Sequence, residues 1–182
     1  IDAEDSWIQN TIDRLCEKMM FKYNTEKVII YTTIQCYRWD RLDYLKGLHK
    51  KAKENNFKIG VKLVRGAYME KERERATEMG YKDPIHITKE ATDNDYDLAL
   101  EYCVENLEDI SICAGTHNED SSQFLANLML KNGVEKTDQR IYFAQLLGMS
   151  DHISFNLSNE KYNVAKYVPY GPVKEVLPYL IR

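Results

Sequence analysis

The residues of this 182-residue sequence best suited to chemistry are polar side chains that interrupt or follow apolar runs. Lys62 stands inside Val61-Lys62-Leu63-Val64. An ammonium in an apolar strand needs an anion or an acceptor. It therefore forms an internal salt bridge with Asp2 or Glu4, or it faces a ligand. Gly66, after Arg65, is either a plain turn residue or a point where a flat ligand approaches the backbone closely. Gln35 satisfies a loop backbone or offers its amide to a ligand. Thr116-His117-Asn118 precedes an apolar-periodic stretch, so His117 either caps a helix or presents donors and a positive dipole end to a phosphate. Tyr167, Tyr170 and Tyr179 are core aromatics or walls of a site.

Other chemistries find no support. Cys16, Cys36, Cys103 and Cys113 form no C-x-x-C pair and lack zinc spacing with histidine. They read as buried free thiols of a reducing compartment. His86, His117 and His152 have no metal spacing, so no metal site is expected. Ser111, Ser150 and Ser154 lack a G-x-S-x-G setting. Asp93, Asn94 and Asp95 lack the glycine and glutamate of a calcium loop and read as a helix start. The run Glu70 to Arg75 reads as a solvated helix face. The net charge of −4 comes without a basic block, which argues against nucleic acid as a partner. No apolar run is long enough to cross a bilayer.

The elements that must position the reactive residues follow from hydrophobic period. Strands are predicted at Val28 to Thr33, Lys58 to Val64, Ile110 to Gly115, Arg140 to Leu146 and Val164 to Val168. Between them lie helical stripes: Ile8, Ile12, Leu15, Cys16 and Met19; then Leu45, Leu48, His49 and Ala52 behind an Asp40 N-cap. Tyr96, Leu100, Cys103, Val104 and Leu107 follow Thr92. Thr116 and Glu119 suggest a capping box, and Pro172 suits a first helical turn. Alternating strand and helix imply α/β with a parallel sheet. Neither G-x-G-x-x-G nor G-x-x-x-x-G-K-[ST] is present, which disfavours the common open nucleotide-binding sheets. A barrel gathers polar residues at the C-terminal ends of its strands. Those ends carry Thr32, Thr33 and Gln35; Lys62 to Tyr68; Thr116 to Asn118; Gln145; and Lys166 and Tyr167. Asp2 and Glu4 read as the end of one more strand.

The run Val61-Lys62-Leu63-Val64-Arg65-Gly66-Ala67-Tyr68 resembles the proline dehydrogenase family. The likeness continues through Asp2-Ala3-Glu4, Gln35-Cys36-Tyr37, Thr116-His117-Asn118, Leu146-Leu147-Gly148-Met149 and Tyr167-Val168-Pro169-Tyr170-Gly171-Pro172. It closes at Tyr179-Leu180-Ile181-Arg182. Arg65-Gly66-Ala67-Tyr68 and Tyr81-Lys82-Asp83-Pro84-Ile85 look closer to the stand-alone, mitochondrial-like branch than to the large bifunctional bacterial enzymes.

The resemblance implies a (βα)8 TIM-type barrel, here partial, with residues 1–182 as a single FAD-binding domain. A complete barrel takes roughly 200 residues or more, so the chain is expected to be a fragment of a longer protein. The implied reaction is oxidation of L-proline to 1-pyrroline-5-carboxylate, with hydride passing to FAD and electrons to a quinone. Asp2, Lys62, Tyr167 and Arg182 would be catalytic. Tyr68, Leu146, Tyr167 and Arg182 would bind substrate, with Arg182 on the carboxylate. Gln35, Lys62, Arg65, Gly66, Ala67, Thr116, His117, Asn118 and Gln145 would hold the cofactor. Hydroxyproline as substrate and a non-catalytic barrel relic are the alternatives. A folate-reductase-type flavin barrel would lack the Tyr-Val-Pro-Tyr-Gly-Pro run. The implied compartment is a mitochondrion in a eukaryote, or a bacterial cytoplasm with peripheral membrane contact.

Overall fold

The computed structural model describes residues 1–180. Helix α1 (Ser6–Tyr23) is followed by β1 (Tyr31–Gln35), α2 (Arg41–Glu54), β2 (Ile59–Val64), α3 (Met69–Met79) and α4 (Lys89–Glu105). Then come β3 (Ile110–Gly115), α5 (Glu119–Lys131), β4 (Ile141–Leu146), α6 (Asp151–Asn159), β5 (Val164–Tyr167) and α7 (Val173–Leu180). The five strands form one parallel sheet in sequential order, β1 to β5. That is the α/β arrangement expected of a partial TIM-type barrel.

Strand alternation gives the sheet two different faces. Register pairs Val61 with Ile112 and Ala114 with Phe143, so the buried residues of neighbouring strands stand on one side. There Ile59, Val61, Leu63, Ile110, Ile112, Ile141 and Phe143 join Leu45 and Leu48 of α2, Tyr96, Leu100 and Cys103 of α4, and Leu125 and Met129 of α5 in one core. The other side carries Thr33, Lys62 and Cys113 in register, with Gly115 beside Ala144 and Leu146 beside Tyr167. This second face is only half-buried at Lys62, Val64, Cys113 and Leu146. Cys113 thus departs from the expected pattern of buried thiols; Cys16, Cys36 and Cys103 follow it.

Several expected boundaries move, each for a local reason. Residues 28–30 are not part of β1, because the Asn24 side chain claims their backbone. Its Oδ1 accepts from Ile29 and Ile30 N–H, and its Nδ2 donates to the Ile30 carbonyl. Helix α4 begins a turn before Thr92: Thr88 is the N-cap, its hydroxyl accepting from Ala91 N–H, and Asp93 to Asp95 lie inside the helix. The capping box of α5 is replaced by Asn118, whose side chain accepts from Ser121 N–H. Asp40 occupies the N-cap position of α2, but its carboxylate is gripped by Arg38. The run Glu70 to Arg75 is not wholly solvated, since Glu72 is fully buried and accepts from the Ser6 N–H and hydroxyl, each at 2.6 Å.

The largest change is in α1. Its buried residues are Gln9, Asp13, Cys16 and Met20, while Ile8 and Leu15 stay exposed. The helix is turned by a buried ion pair. Arg41 donates to both Asp13 oxygens, at 2.8 and 3.0 Å, and Gln9 donates to the same carboxylate at 2.8 Å. Arg41 also stacks on the Tyr44 ring at 4.0 Å. Truncating one partner leaves the other charge buried and unpaired. Asp13→Ala is therefore expected to destabilise the fold by about 3–5 kcal/mol in chemical denaturation. A loss below about 1 kcal/mol, the range of exposed pairs, would show that this pair does not fix the seating of α1.

Candidate functional site

The C-terminal ends of β1 and β2 are crossed by the segment before α1. Asp2 meets Lys62 there in an ion pair, and the Thr33 hydroxyl donates to the same carboxylate oxygen at 3.0 Å. Farther along, the Tyr68 hydroxyl donates to Glu4 at 3.1 Å and Lys71 to Asp5 at 2.7 Å. Ser6 then reaches the buried Glu72. The segment is thus tied residue by residue to β2 and α3. Burial alone would raise the Asp2 carboxyl, but the hydrogen bond and charge of Lys62, helped by Thr33, hold it below the usual carboxylate value of 3.8. Of the two alternatives for Lys62, the internal pair is made, and the ammonium still faces the half-open side of the sheet, 5.9 Å from the Tyr167 ring centre.

Beyond β2 the chain forms a ledge. Gly66 has φ of 137°, and a Cβ placed there would come within 2.5 Å of the Tyr37 ring. Only glycine fits this backbone and this contact. The ledge is joined to the β1–α2 loop by Tyr37 N–H donating to the Arg65 carbonyl at 2.7 Å. Ala67 is exposed, and Tyr68 is the N-cap residue of α3. A cavity of about 710 Å³ opens beside Gly66, Ala67 and Tyr68 and reaches His86 and Thr88. The Arg65 side chain points away from the ledge. It donates to Asp93 at 2.6 Å, Thr116 at 2.7 Å and Ser121 at 3.0 Å, and lies over the Tyr96 ring. Gln35, at the end of β1, is buried, and its Oε1 has no partner among the described residues.

The β3–α5 turn holds the third group. Thr116 Oγ1 accepts from Arg65 and from Asn118 N–H, and Asn118 caps α5. His117 is exposed, its Nδ1 3.1 Å from the Ser150 hydroxyl. Partial burial and the nearby Lys166 charge lower its pKa below 6.5. Leu146 and Tyr167 stand in register on the half-open face. Gln145 faces the opposite way. It is buried on the helix side, donating to the Thr116 carbonyl at 3.2 Å and accepting from Ser154 at 2.8 Å.

The structure brings Asp2, Lys62, Leu146 and Tyr167 to one sheet face, with the Gly66–Tyr68 ledge and the Thr116–Asn118 turn at its rim. It directs the Arg65 guanidinium and the Gln145 amide into internal bonds instead. Arg182 lies outside the described residues. Tyr37, Glu72 and Ser150 acquire parts in the site that their spacing did not announce. For Tyr37 the available signal was its position two residues after Gln35. Ser150 and Glu72 carried none, because their partners are 33 and 66 residues away. Among the described residues no cluster of His, Cys, Asp or Glu could hold a metal ion, and no helix is long and apolar enough to cross a membrane.

A five-stranded parallel sheet in sequential order, with helices between its strands, places the chain in the class of TIM-type α/β barrels, here a partial one. Within that class, a family model described as proline dehydrogenase matches residues 1–182, and the chain belongs to that family. Proline dehydrogenase 1, mitochondrial, from Homo sapiens is 46% identical over 185 residues, covering 100% of this chain and 31% of that protein. The Drosophila melanogaster protein of the same name is 42% identical, covering 100% of this chain and 28% of that one. The chain therefore spans less than a third of these relatives' lengths. Among solved structures, proline utilization A from Bdellovibrio bacteriovorus, inactivated by N-propargylglycine, superposes with a TM-score of 0.90 at 23% identity. That match covers 98% of this chain and 19% of the larger one. A Bradyrhizobium japonicum proline utilization A variant gives 0.83 at 22%, covering 98% and 18%. These likenesses establish the barrel fold.

A depressed carboxyl contributes stability above its unfolded value and loses it as pH falls through the folded midpoint. Removing Lys62 takes away the main hydrogen bond and charge that oppose burial at Asp2 and leaves the weaker Thr33 hydrogen bond. In Lys62→Met the Asp2 midpoint, followed by carbon-13 NMR, is expected to rise. The stability deficit of the variant near neutral pH should shrink as pH falls below 3.8 and through the depressed Asp2 midpoint, where the parent also loses its ion pair. An unmoved midpoint would show that Lys62 does not hold the carboxylate ionised.

Proposed function

We propose that this chain forms the flavin- and substrate-holding part of an enzyme oxidising L-proline to 1-pyrroline-5-carboxylate, the first step of proline catabolism, with residues 1–182 as one domain. The observation that carries the reading is the Lys62–Asp2 pair on the half-open sheet face, flanked by Tyr167 and the Gly66 ledge. The names of the curated relatives and the family model support it.

FAD suits the residues present. The glycine-only ledge admits a flat ring system to the backbone. The unpartnered Oε1 of buried Gln35 is an acceptor that a flavin imide N–H would satisfy. Gln35, Lys62, Gly66 and Ala67 would hold the ring. Thr116, His117 and Asn118 would hold the phosphate and adenosine portions. Arg65 would contribute by fixing the ledge to Thr116, and Gln145 by holding the Thr116 carbonyl. When bound, FAD supplies a hydride acceptor and a conduit for electrons to a quinone.

The protein's own residues do the rest. Arg182, which lies outside the described residues, would bind the proline carboxylate, a group that a guanidinium suits because it can bond bidentately. Tyr68, Leu146 and Tyr167 wall the apolar ring and exclude water. Forming 1-pyrroline-5-carboxylate would take a hydride, to be accepted by bound FAD, from the ring carbon beside nitrogen that does not carry the carboxylate; the nitrogen lone pair would form the C=N bond and the N–H proton would be released. Lys62 opposes negative charge gained on reduction, and Asp2 keeps that ammonium in place. The mitochondrial names of the relatives support placement in a mitochondrion; peripheral contact with the inner membrane would give access to the quinone.

The test is anaerobic addition of L-proline to the purified full-length protein. A yellow flavin spectrum that bleaches is expected. Bleaching by hydroxyproline alone would move the substrate assignment. A colourless protein that FAD cannot reconstitute would overturn the enzyme reading in favour of a relic.

A further inference from the structure

The loop between β4 and α6 is held in an unusual way. Gly148 has φ of 76° and Ser150 φ of 50°, so a serine occupies the left-handed region. A serine at a helix N-cap ordinarily accepts from N–H groups of the first turn. Ser150 is the N-cap residue of α6 but makes no side-chain cap bond. Its hydroxyl lies instead 3.1 Å from His117 Nδ1, on the neighbouring turn.

A residue keeps such a backbone only where its surroundings force it, and here the force comes from Lys166 on β5. Its ammonium donates to the Met149 carbonyl at 3.0 Å and the Leu146 carbonyl at 3.4 Å, and pairs with Asp151 at 2.7 Å. These acceptors match the donors of one ammonium. They span the loop from the last residue of β4 to the first of α6. Leu147 N–H adds a backbone bond to the Tyr167 carbonyl at 2.9 Å.

We infer that Lys166 and Ser150 are positioning residues: Lys166 staples the β4–α6 loop so that Ser150 grips His117 Nδ1 and turns the other ring nitrogen outward as a hydrogen-bond donor for a phosphate oxygen. The inference rests on the reading of His117 as a holder of the cofactor's phosphate chain. His117 Nε2 has no hydrogen-bond partner among the described residues, as that role requires. In this clamp the serine hydroxyl is the donor to Nδ1, an arrangement that keeps the ring proton on Nε2. Lys166 also discourages a second proton on the ring, so His117 stays a neutral, directional donor. The other charges near the turn are already engaged: Asp151 by Lys166, and Glu119 of α5 by His152 of α6 at 2.7 Å.

The test is nitrogen-15 histidine NMR on the full-length protein without flavin. The His117 signal is identified with His117→Gln, and FAD affinity is measured in parallel by fluorescence. The parent protein is expected to show the Nε2–H tautomer. Ser150→Ala should lose that preference. Lys166→Met should raise the His117 titration midpoint, and Lys166→Arg should restore it. FAD dissociation constants should rise about 3- to 10-fold in Ser150→Ala and Lys166→Met, the scale of one lost hydrogen bond. His117 tautomer and titration unchanged in both variants would overturn the clamp, as would weaker FAD binding with an unaltered His117 signal. A parent protein that takes up no FAD would overturn the functional reading instead, and the His117 spectra would still decide the clamp.

Discussion

An ammonium projecting from the middle of a parallel sheet has to find a counter-charge, and at Lys62 that requirement shapes the whole mouth of the fold. The nearest carboxylate is Asp2, on a segment with no regular structure of its own. Holding Asp2 over β2 requires that segment to be anchored along its length. Thr33, Tyr68, Lys71 and Glu72 supply the anchors from β1, β2–α3 and α3. Glu72, buried with no ion-pair partner among the described residues, is tolerated because Ser6 gives it two short hydrogen bonds. The result is a cation whose neighbours are fixed and whose remaining exposure faces the Tyr167 ring.

The sheet separates this polar arrangement from the groups that stabilise it. Every helix-side position of β2, β3 and the first part of β4 is apolar and buried in the common core. Gln145, which points that way, and the Arg65 side chain beyond β2 are engaged in tying loops together. The opposite face keeps Lys62, Cys113, Leu146 and Tyr167 partly accessible. The packed core and the half-open polar groups thereby lie on opposite faces, joined at the rim by Thr116, which accepts from Arg65 and precedes His117 and Asn118.

Much of this was legible from residue order. Ile110 to Gly115 falls where alternation puts it, and the collection of Lys62, Gly66, Thr116 and Tyr167 at strand ends follows from a parallel barrel. What escaped were long-range polar bonds that override period. Periodicity assigns the Ile8–Leu15 stripe to the core, but the Asp13–Arg41 pair turns α1 so that Gln9 and Asp13 go inside. The Asn24 side chain withdraws residues 28–30 from the ladder. A charge run cannot disclose that Glu72 alone among its neighbours is fully buried, because its partner Ser6 is remote in sequence. Residue type told which side chains sit at the mouth; the direction in which Arg65 and Gln145 point required coordinates.

We propose that the Lys62 ammonium, held by Asp2, sets the electrostatics of a flavin site. The most direct test is a spectroelectrochemical titration of the full-length protein against Lys62→Met and Lys62→Arg. A fixed positive charge favours the more negative, reduced cofactor, so the midpoint potential should fall in Lys62→Met and recover in Lys62→Arg. A potential unchanged by Lys62→Met, with flavin still bound, would place the ligand away from this pair and contradict the account.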